Sequence, residues 1–270
     1  MRKLSWFNLT SLTFGFAFLY LPMIVLVVYS FNSNKLVTVW AGFSTKWYGE
    51  LFRNEAMMDA AWVTIRVALA SSTLATVLGT LAAYVLVRGG RFHGRTLFSG
   101  MLYAPLVMPD VILGLSLLLL FIAIGLDRGL LTIILAHTTF SMAYVAVVVT
   151  SRLVAFDRSL EEAALDLGCT RFEAFRLVTL PIIAPAVISG WLLGFTLSLD
   201  DLVIASFTSG PSSTTLPIKI FSAVRLGVSP EINALSAILI GIVSVGVITA
   251  SLISKRAIAK RIADENRATP

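Results

Sequence analysis

Apolar residues run in six long stretches, at about Leu12–Phe31, Ala60–Val87, Leu97–Ile124, Leu130–Thr150, Leu180–Phe207 and Leu235–Ile253. A helix needs about 20 apolar residues to cross a bilayer, and each stretch is close to that length or longer. The pattern predicts an all-α, polytopic membrane protein with six transmembrane helices, forming one transmembrane domain over residues 1–270. The third and fifth stretches are longer than a span requires and contain prolines and aspartates. A tilt, a break or an interfacial segment is expected in each. The polar segments between spans have distinct characters. Residues 32–59 hold Trp40, Trp47 and Tyr48, which suit a membrane–water interface. Residues 208–215 are turn-rich, and Ile218, Phe221, Val224 and Leu226 after them are spaced for a short amphipathic helix. No internal repeat and no low-complexity linker interrupts the pattern.

The loop over about residues 151–180 is the most structured of the polar segments. Asp157–Leu167 reads as a short helix with Leu160, Ala163, Ala164 and Leu167 on one face. Ser159 stands three residues before Glu162, the spacing of a capping box. Gly168 supplies a stop, with a positive φ expected there. A second helix at about Arg171–Val178 runs back toward the bilayer, and Pro181 marks entry to the next span.

Composition agrees with the pattern. Hydrophobic residues make up 57% and charged residues 13% of the chain, against roughly 25% charged in a soluble domain. The net charge of +6 lies in short clusters beside apolar spans, so it reads as a topology signal rather than a nucleic-acid footprint. Alternate loops, including the tail at about residues 255–270, carry fourteen lysines and arginines: Arg2, Lys3, Arg88, Arg91, Arg95, Arg152, Arg158, Arg171, Arg176, Lys255, Arg256, Lys260, Arg261 and Arg267. The other side carries seven. The richer side is expected to be cytoplasmic, which places both termini and the loop around Glu162 inside. The basic start before the first span reads as an uncleaved anchor, since no convincing cleavage site follows. A single cysteine, Cys169, excludes an intramolecular disulfide, and His93 and His137 give no metal-ligand spacing.

Three acids fall inside apolar stretches: Asp110, Asp200 and Asp201. Such residues cost about 2.5–3.5 kcal/mol on insertion scales and usually face a bundle interior or a wet path. Their matching signs suit a cationic substrate. Trp191, Phe195 and Tyr103 are candidates for cation–π contacts on that path, against ordinary packing. Structural roles stand beside these readings. Asp110 follows Pro109 and suits the start of a half-helix. Asp200 and Asp201 lie near a span end, and at least one of two adjacent carboxylates should point to a different face.

The spacing Glu162-Ala163-Ala164, then Gly168, Val178, Leu180 and Pro181 resembles the cytoplasmic coupling loop of type I ABC importer permeases, with Val178 where the family usually has isoleucine. The stretches Ala104–Gly114, Phe195–Pro211, Tyr29–Ser33, Val39–Tyr48 and Val228–Ala234 resemble polyamine importer permeases over nearly the whole chain, the putrescine and spermidine/putrescine importers above all. The resemblance implies a bacterial inner-membrane permease with a coupling helix for a separate ATPase. Glu162, Ala163, Ala164, Gly168, Leu180 and Pro181 would make that ATPase contact. It further implies a second homologous permease, two ATPase copies and a periplasmic polyamine-binding protein. The chain contains no G-x-x-x-x-G-K-[ST] sequence, so ATP and magnesium would belong to the partner, and the chain itself needs no cofactor and is not an enzyme. An ion-coupled secondary transporter is the rival, with the aspartates as coupling sites. An intramembrane acid-pair enzyme is a second, but neither histidine nor Cys169 falls in a catalytic setting.

Overall fold

The computed structural model describes residues 5–35, 39–227, 229–245 and 248–249. The chain divides into two compact units, Met1–Glu55 with Ser222–Pro270, and Ala56–Phe221.

In the first unit, α1 (Trp6–Tyr29) is apolar throughout and buries no residue within this chain. Such a surface fits lipid or another apolar helix, not water. The loop that follows is organised by Asn32. Its Oδ1 accepts from Ala41 N at 2.9 Å and Asn34 N at 3.2 Å, and its Nδ2 donates to Val39 O at 2.7 Å. Trp47, at the start of α2 (Lys46–Arg53), is buried and donates Nε1–H to Asn32 O at 2.7 Å. Trp47 is therefore a loop anchor and not the interfacial belt residue expected, whereas Trp40 is exposed.

The second unit begins with α3 (Glu55–Arg88), a 34-residue helix. After it come α4 (Arg95–Tyr103) with a 3-10 turn at Ala104–Leu106, then α5 (Asp110–Ala123) and α6 (Leu130–Ala155). Next are α7 (Ser159–Asp166), α8 (Arg171–Ala174), a π turn (Phe175–Thr179) and α9 (Leu180–Asp200). Two shorter helices follow, α10 (Val203–Thr208) and α11 (Leu216–Leu226). The first unit resumes at Ser222, within α11, and holds α12 (Pro230–Val245), whose Glu231 Oε2 accepts from Asn54 Nδ2 at 3.0 Å.

Among the described residues, α1, α3, α6 and the continuous helix Arg171–Asp200 are long and apolar enough to cross a membrane. The third predicted span is broken, as expected, with a 116° bend between Arg95–Leu106 and Asp110–Ala123. The fifth is interrupted after Asp200. Its start differs from expectation: α8, the π turn and α9 form one helix instead of a separate short helix ended near Pro181. Proline cannot donate to the preceding turn, and a wider turn just before it lets the helix run on. The sixth predicted span overlaps α12, and its last part, like the C-terminal tail, lies outside the described residues.

Helices α3, α6 and α9 pack through small residues. In lipid the drive for association is close van der Waals approach, which small side chains permit. Ala75, Ala83, Val145, Val149, Leu153 and Ile183 form a fully buried cluster. A Cβ on Gly79 would meet Met142 O at 2.9 Å and Val145 Cβ at 3.0 Å.

Candidate functional site

The loop after α6 is built from short-range polar contacts. Asp157 Oδ1 accepts from Ser159 N at 3.0 Å and starts α7. That backbone bond, with the Ser159 hydroxyl, holds the Asp157 carboxyl below its ordinary range. The expected Ser159–Glu162 capping box is absent, because Ser159 is already helical. Glu162 instead reaches back to Arg158 Nε at 3.0 Å on the exposed surface. The capping box forms one helix later. Thr170 Oγ1 accepts from Glu173 N at 3.3 Å, and Glu173 Oε2 accepts from Thr170 N at 2.7 Å and from Thr170 Oγ1 at 2.8 Å. These bonds hold the Glu173 carboxyl below its ordinary range. Between the two helices, Gly168 has φ +93°, a conformation that penalises any side chain.

The loop presents a mixed face. Leu160, Glu162, Ala163 and Leu167 are exposed, with Leu167 at 87%. Ala164 is buried, so the predicted four-residue face is split, with one alanine outward and one inward. Leu180 packs against the α3–α6–α9 cluster, Val178 is half-buried and Pro181 is exposed.

The inward side holds a residue the sequence reading passed over, Glu161. It is buried, with Oε2 2.9 Å from Arg88 Nε and Oε1 accepting from Thr179 Oγ1 at 2.7 Å. A cleft of about 560 Å³ opens beside it, lined in part by Tyr84, Arg88, Glu162, Arg171 and Phe172.

The membrane acids occupy different environments. Asp110 is the first residue of α5, directly after the break, and is exposed on this chain. A carboxylate there also complements the helix N-terminus. Asp200 ends α9 and is exposed, on the same side as Ser189, Leu192 and Thr196 at helical spacing. Asp201 is turned inward. Its Oδ2 lies 3.1 Å from His137 Nε2, with side chains 9% and 0% exposed. Its carboxylate accepts from Ile204 N at 3.3 Å and Ala205 N at 2.7 Å, which starts α10. His137 Nδ1 meets Ser198 Oγ at 2.7 Å, and Ser71 Oγ donates to Ser198 Oγ at 3.1 Å. The Arg88–Glu161 contact is an ion pair at short distance and the His137–Asp201 contact a close approach, and neither nitrogen makes an aligned hydrogen bond.

The candidate aromatics also separate. Trp191 and Phe195 stack at 5.3 Å and 9°, and Trp191 Nε1 donates to Thr73 Oγ1 at 3.1 Å. Nine residues along α9 place Trp191 about half a turn round from Asp200, on the opposite face. Tyr103 lies in a cleft of about 550 Å³ with Arg95, Thr96 and Ser99, its hydroxyl 3.4 Å from Thr150 Oγ1. Among the described residues no group of His, Cys, Asp or Glu is placed to hold a metal.

An all-helical chain with membrane-length helices, a broken helix pair and a structured polar loop between two spans defines a polytopic membrane permease. Its fold is that of ABC importer permeases. A chain of the bacterial ABC transporter involved in import of the acidic polysaccharide alginate aligns with a TM-score of 0.74 at 17% identity, covering 92% of this chain and 94% of that one. A chain of the MetNI methionine ABC transporter aligns at 0.61 and 19% identity, covering 76% and 98%. The chain belongs to the family of binding-protein-dependent transport system inner membrane components, which it matches over residues 75–264. It is thus a multi-pass inner-membrane transport permease, not an enzyme. It is 59% identical to the putrescine transport system permease protein PotI of Escherichia coli (strain K12), over 97% of this chain and 95% of that protein. It is 46% identical to the spermidine/putrescine transport system permease protein PotC of the same organism, over 83% and 85%.

Proposed function

We propose that the chain is the permease subunit of an ATP-driven polyamine importer, with putrescine as substrate, and folds as a single permease domain over residues 1–270. The observation that carries this reading is the 59% identity to a putrescine permease along almost the whole of both chains. The permease works with a second, homologous permease, two copies of a cytoplasmic ATPase that hold ATP and magnesium, and a periplasmic binding protein that delivers the polyamine. Both termini and the Glu162 loop face the cytoplasm.

On this reading the exposed face of α7 docks on the ATPase. Glu162 and Ala163 touch it directly, Ala164 and Gly168 shape the helix, and Leu180 and Pro181 lead into α9. Small Ala163 allows close approach, and Glu162 supplies charge for orientation. The apolar exposure of Leu160 and Leu167 supports such a partner.

The substrate path runs along the exposed acids Asp110 and Asp200. A diammonium ion carries two charges that one carboxylate cannot neutralise together, so acids from separate helices hold it in turn. Asp201 acts on the path by fixing the α9–α10 corner that carries Asp200. Tyr103 remains a candidate for the route, whereas Trp191, stacked with Phe195 and bonded to Thr73 on the face of α9 opposite Asp200, fits packing better than a substrate contact. The test is uptake of radiolabelled putrescine in cells lacking other importers. Uptake that requires this chain and the partner ATPase is expected. Uptake indifferent to loss of the ATPase would instead establish an ion-coupled transporter.

A further inference from the structure

The docking face of α7 points away from the membrane helices, yet its movement has to reach them. Eight residues cannot hold a helix in place by themselves. Its orientation therefore comes from tertiary contacts, and the buried ones converge on Glu161. One carboxylate oxygen faces Arg88, the last residue of α3, at 2.9 Å. The other accepts from Thr179, the last residue of the π turn, at 2.7 Å. Arg88 reaches further, donating through Nη2 to the carbonyls of Leu153 at 3.2 Å and Phe156 at 3.4 Å, at the end of α6. The guanidinium also lies 5.6 Å from the Phe156 ring centroid, and Tyr84 packs edge-on to Phe175 at 4.6 Å. One carboxylate thus joins the ends of α3 and α6, helix α7 and the turn that leads into α9.

We propose that the Arg88–Glu161–Thr179 cluster is the joint that carries motion of the docking helix into the three packed membrane helices, with Glu161 as its central positioning residue. A buried ion pair adds little stability over apolar packing of the same volume, but it fixes geometry. That is the property a joint requires. Apolar contacts alone would let α7 slide, whereas a carboxylate with a partner on each oxygen cannot move without its neighbours. The π turn is the local device that brings Thr179 to the carboxylate. Such turns concentrate at functional positions in helices.

The proposal rests on the reading of the α7 face as the ATPase contact, and its test separates the two. The full complex is reconstituted in proteoliposomes with Glu161→Gln or Thr179→Val. Two quantities are measured, the ATPase retained per permease and the ATP hydrolysed per putrescine imported. Glu161→Gln removes the charge and Thr179→Val removes the donor at nearly constant volume. The expected result is wild-type retention of the ATPase with at least a fivefold rise in ATP per putrescine, about the low end of ordinary coupling effects. A merely structural role lowers the amount of complex, and with it hydrolysis and import together, leaving the ratio unchanged. A wild-type ratio in both assembled variants overturns the proposal. If Glu161→Gln does not assemble, the ratio in Thr179→Val decides it. The docking reading fails separately, if Glu162→Lys leaves hydrolysis and import fully coupled.

Discussion

Asp200 and Asp201 are neighbours in sequence, and the same substitution should act on them in opposite ways. Asp201 is nine-tenths buried beside a fully buried His137 and accepts two backbone N–H groups of α10. Leaving a buried hydrogen-bonding group unsatisfied costs about 1–3 kcal/mol. Asparagine keeps one oxygen for the Ile204 or Ala205 amide, so Asp201→Asn belongs in the middle of that range, about 2 kcal/mol. Asp201→Ala orphans both amides and adds about 1–3 kcal/mol. Asp200 is exposed, so Asp200→Asn should leave assembly intact. Its effect falls on transport. Two unit charges about 4 Å apart interact by roughly 4 kcal/mol at an effective dielectric near 20, before desolvation is subtracted. Losing even a third of that slows passage about tenfold. The assays are thermal aggregation of the solubilised complex and putrescine uptake normalised to assembled complex. Asp201→Asn should lower the melting temperature by several degrees, while Asp200→Asn should lower uptake alone. A wild-type melting profile for Asp201→Asn would refute the structural role of the His137 pair. Wild-type uptake for Asp200→Asn together with Asp110→Asn would refute the acidic path.

Other outcomes follow from the same geometry. Glu162→Lys and Gly168→Asp should each leave the protein inserted but abolish substrate-stimulated ATP hydrolysis by the reconstituted complex; in Gly168→Asp the φ of +93° adds strain of about 1–2 kcal/mol. Cys169, the single cysteine and partly exposed, should react with impermeant thiol reagents only from the cytoplasmic face; labelling of intact cells from outside would reverse the topology. Gly79→Val should reduce assembled complex several-fold on quantitative blotting, because its Cβ would stand 2.9 Å from Met142 O on α6.

Much of the fold was legible because lipid imposes a simple pattern. Long apolar stretches gave α1, α3 and α6 directly; Pro109 beside Asp110 signalled the break after Leu106, and the Asp200–Asp201 pair the one after Asp200. The amphipathic spacing after Thr215 gave α11. Helix continuity near Pro181 was not legible, since a π turn leaves no composition signature. Nor was the burial of Trp47. Its neighbours read as interface residues, and only the folded loop shows Asn32 O within reach of its indole. In the sequence His137 offers neither metal-ligand spacing nor a catalytic setting, and the structure places it against Ser198 and Asp201. The identity of those partners came only from the structure.

Two adjacent pairs of acids show why the site was harder to read than the fold. Glu161–Glu162 and Asp200–Asp201 are both doubled charges, and adjacency alone implies that the two members of a pair point to different faces. Successive helical residues point about 100° apart, so neighbours do not share a face. In the first pair Glu161 is buried against Arg88 and Thr179 while Glu162 is exposed. In the second, Asp201 is turned onto His137 while Asp200 is exposed. Each doublet combines one carboxylate that fixes the backbone with one presented outward. The motif pointed to Glu162 and charge matching pointed to Asp200, because both signals concern what a partner or substrate would meet. The inward partners carry no such signal. A residue more than seventy positions away supplies the counter-charge for Glu161, and one more than sixty away meets Asp201. Outward acids of this kind should tolerate exchange of aspartate for glutamate in assembly, whereas the inward ones, held on two sides, should not. Assembly equally tolerant at Glu161→Asp and Glu162→Asp would show that burial, and not the paired geometry, is all that separates them.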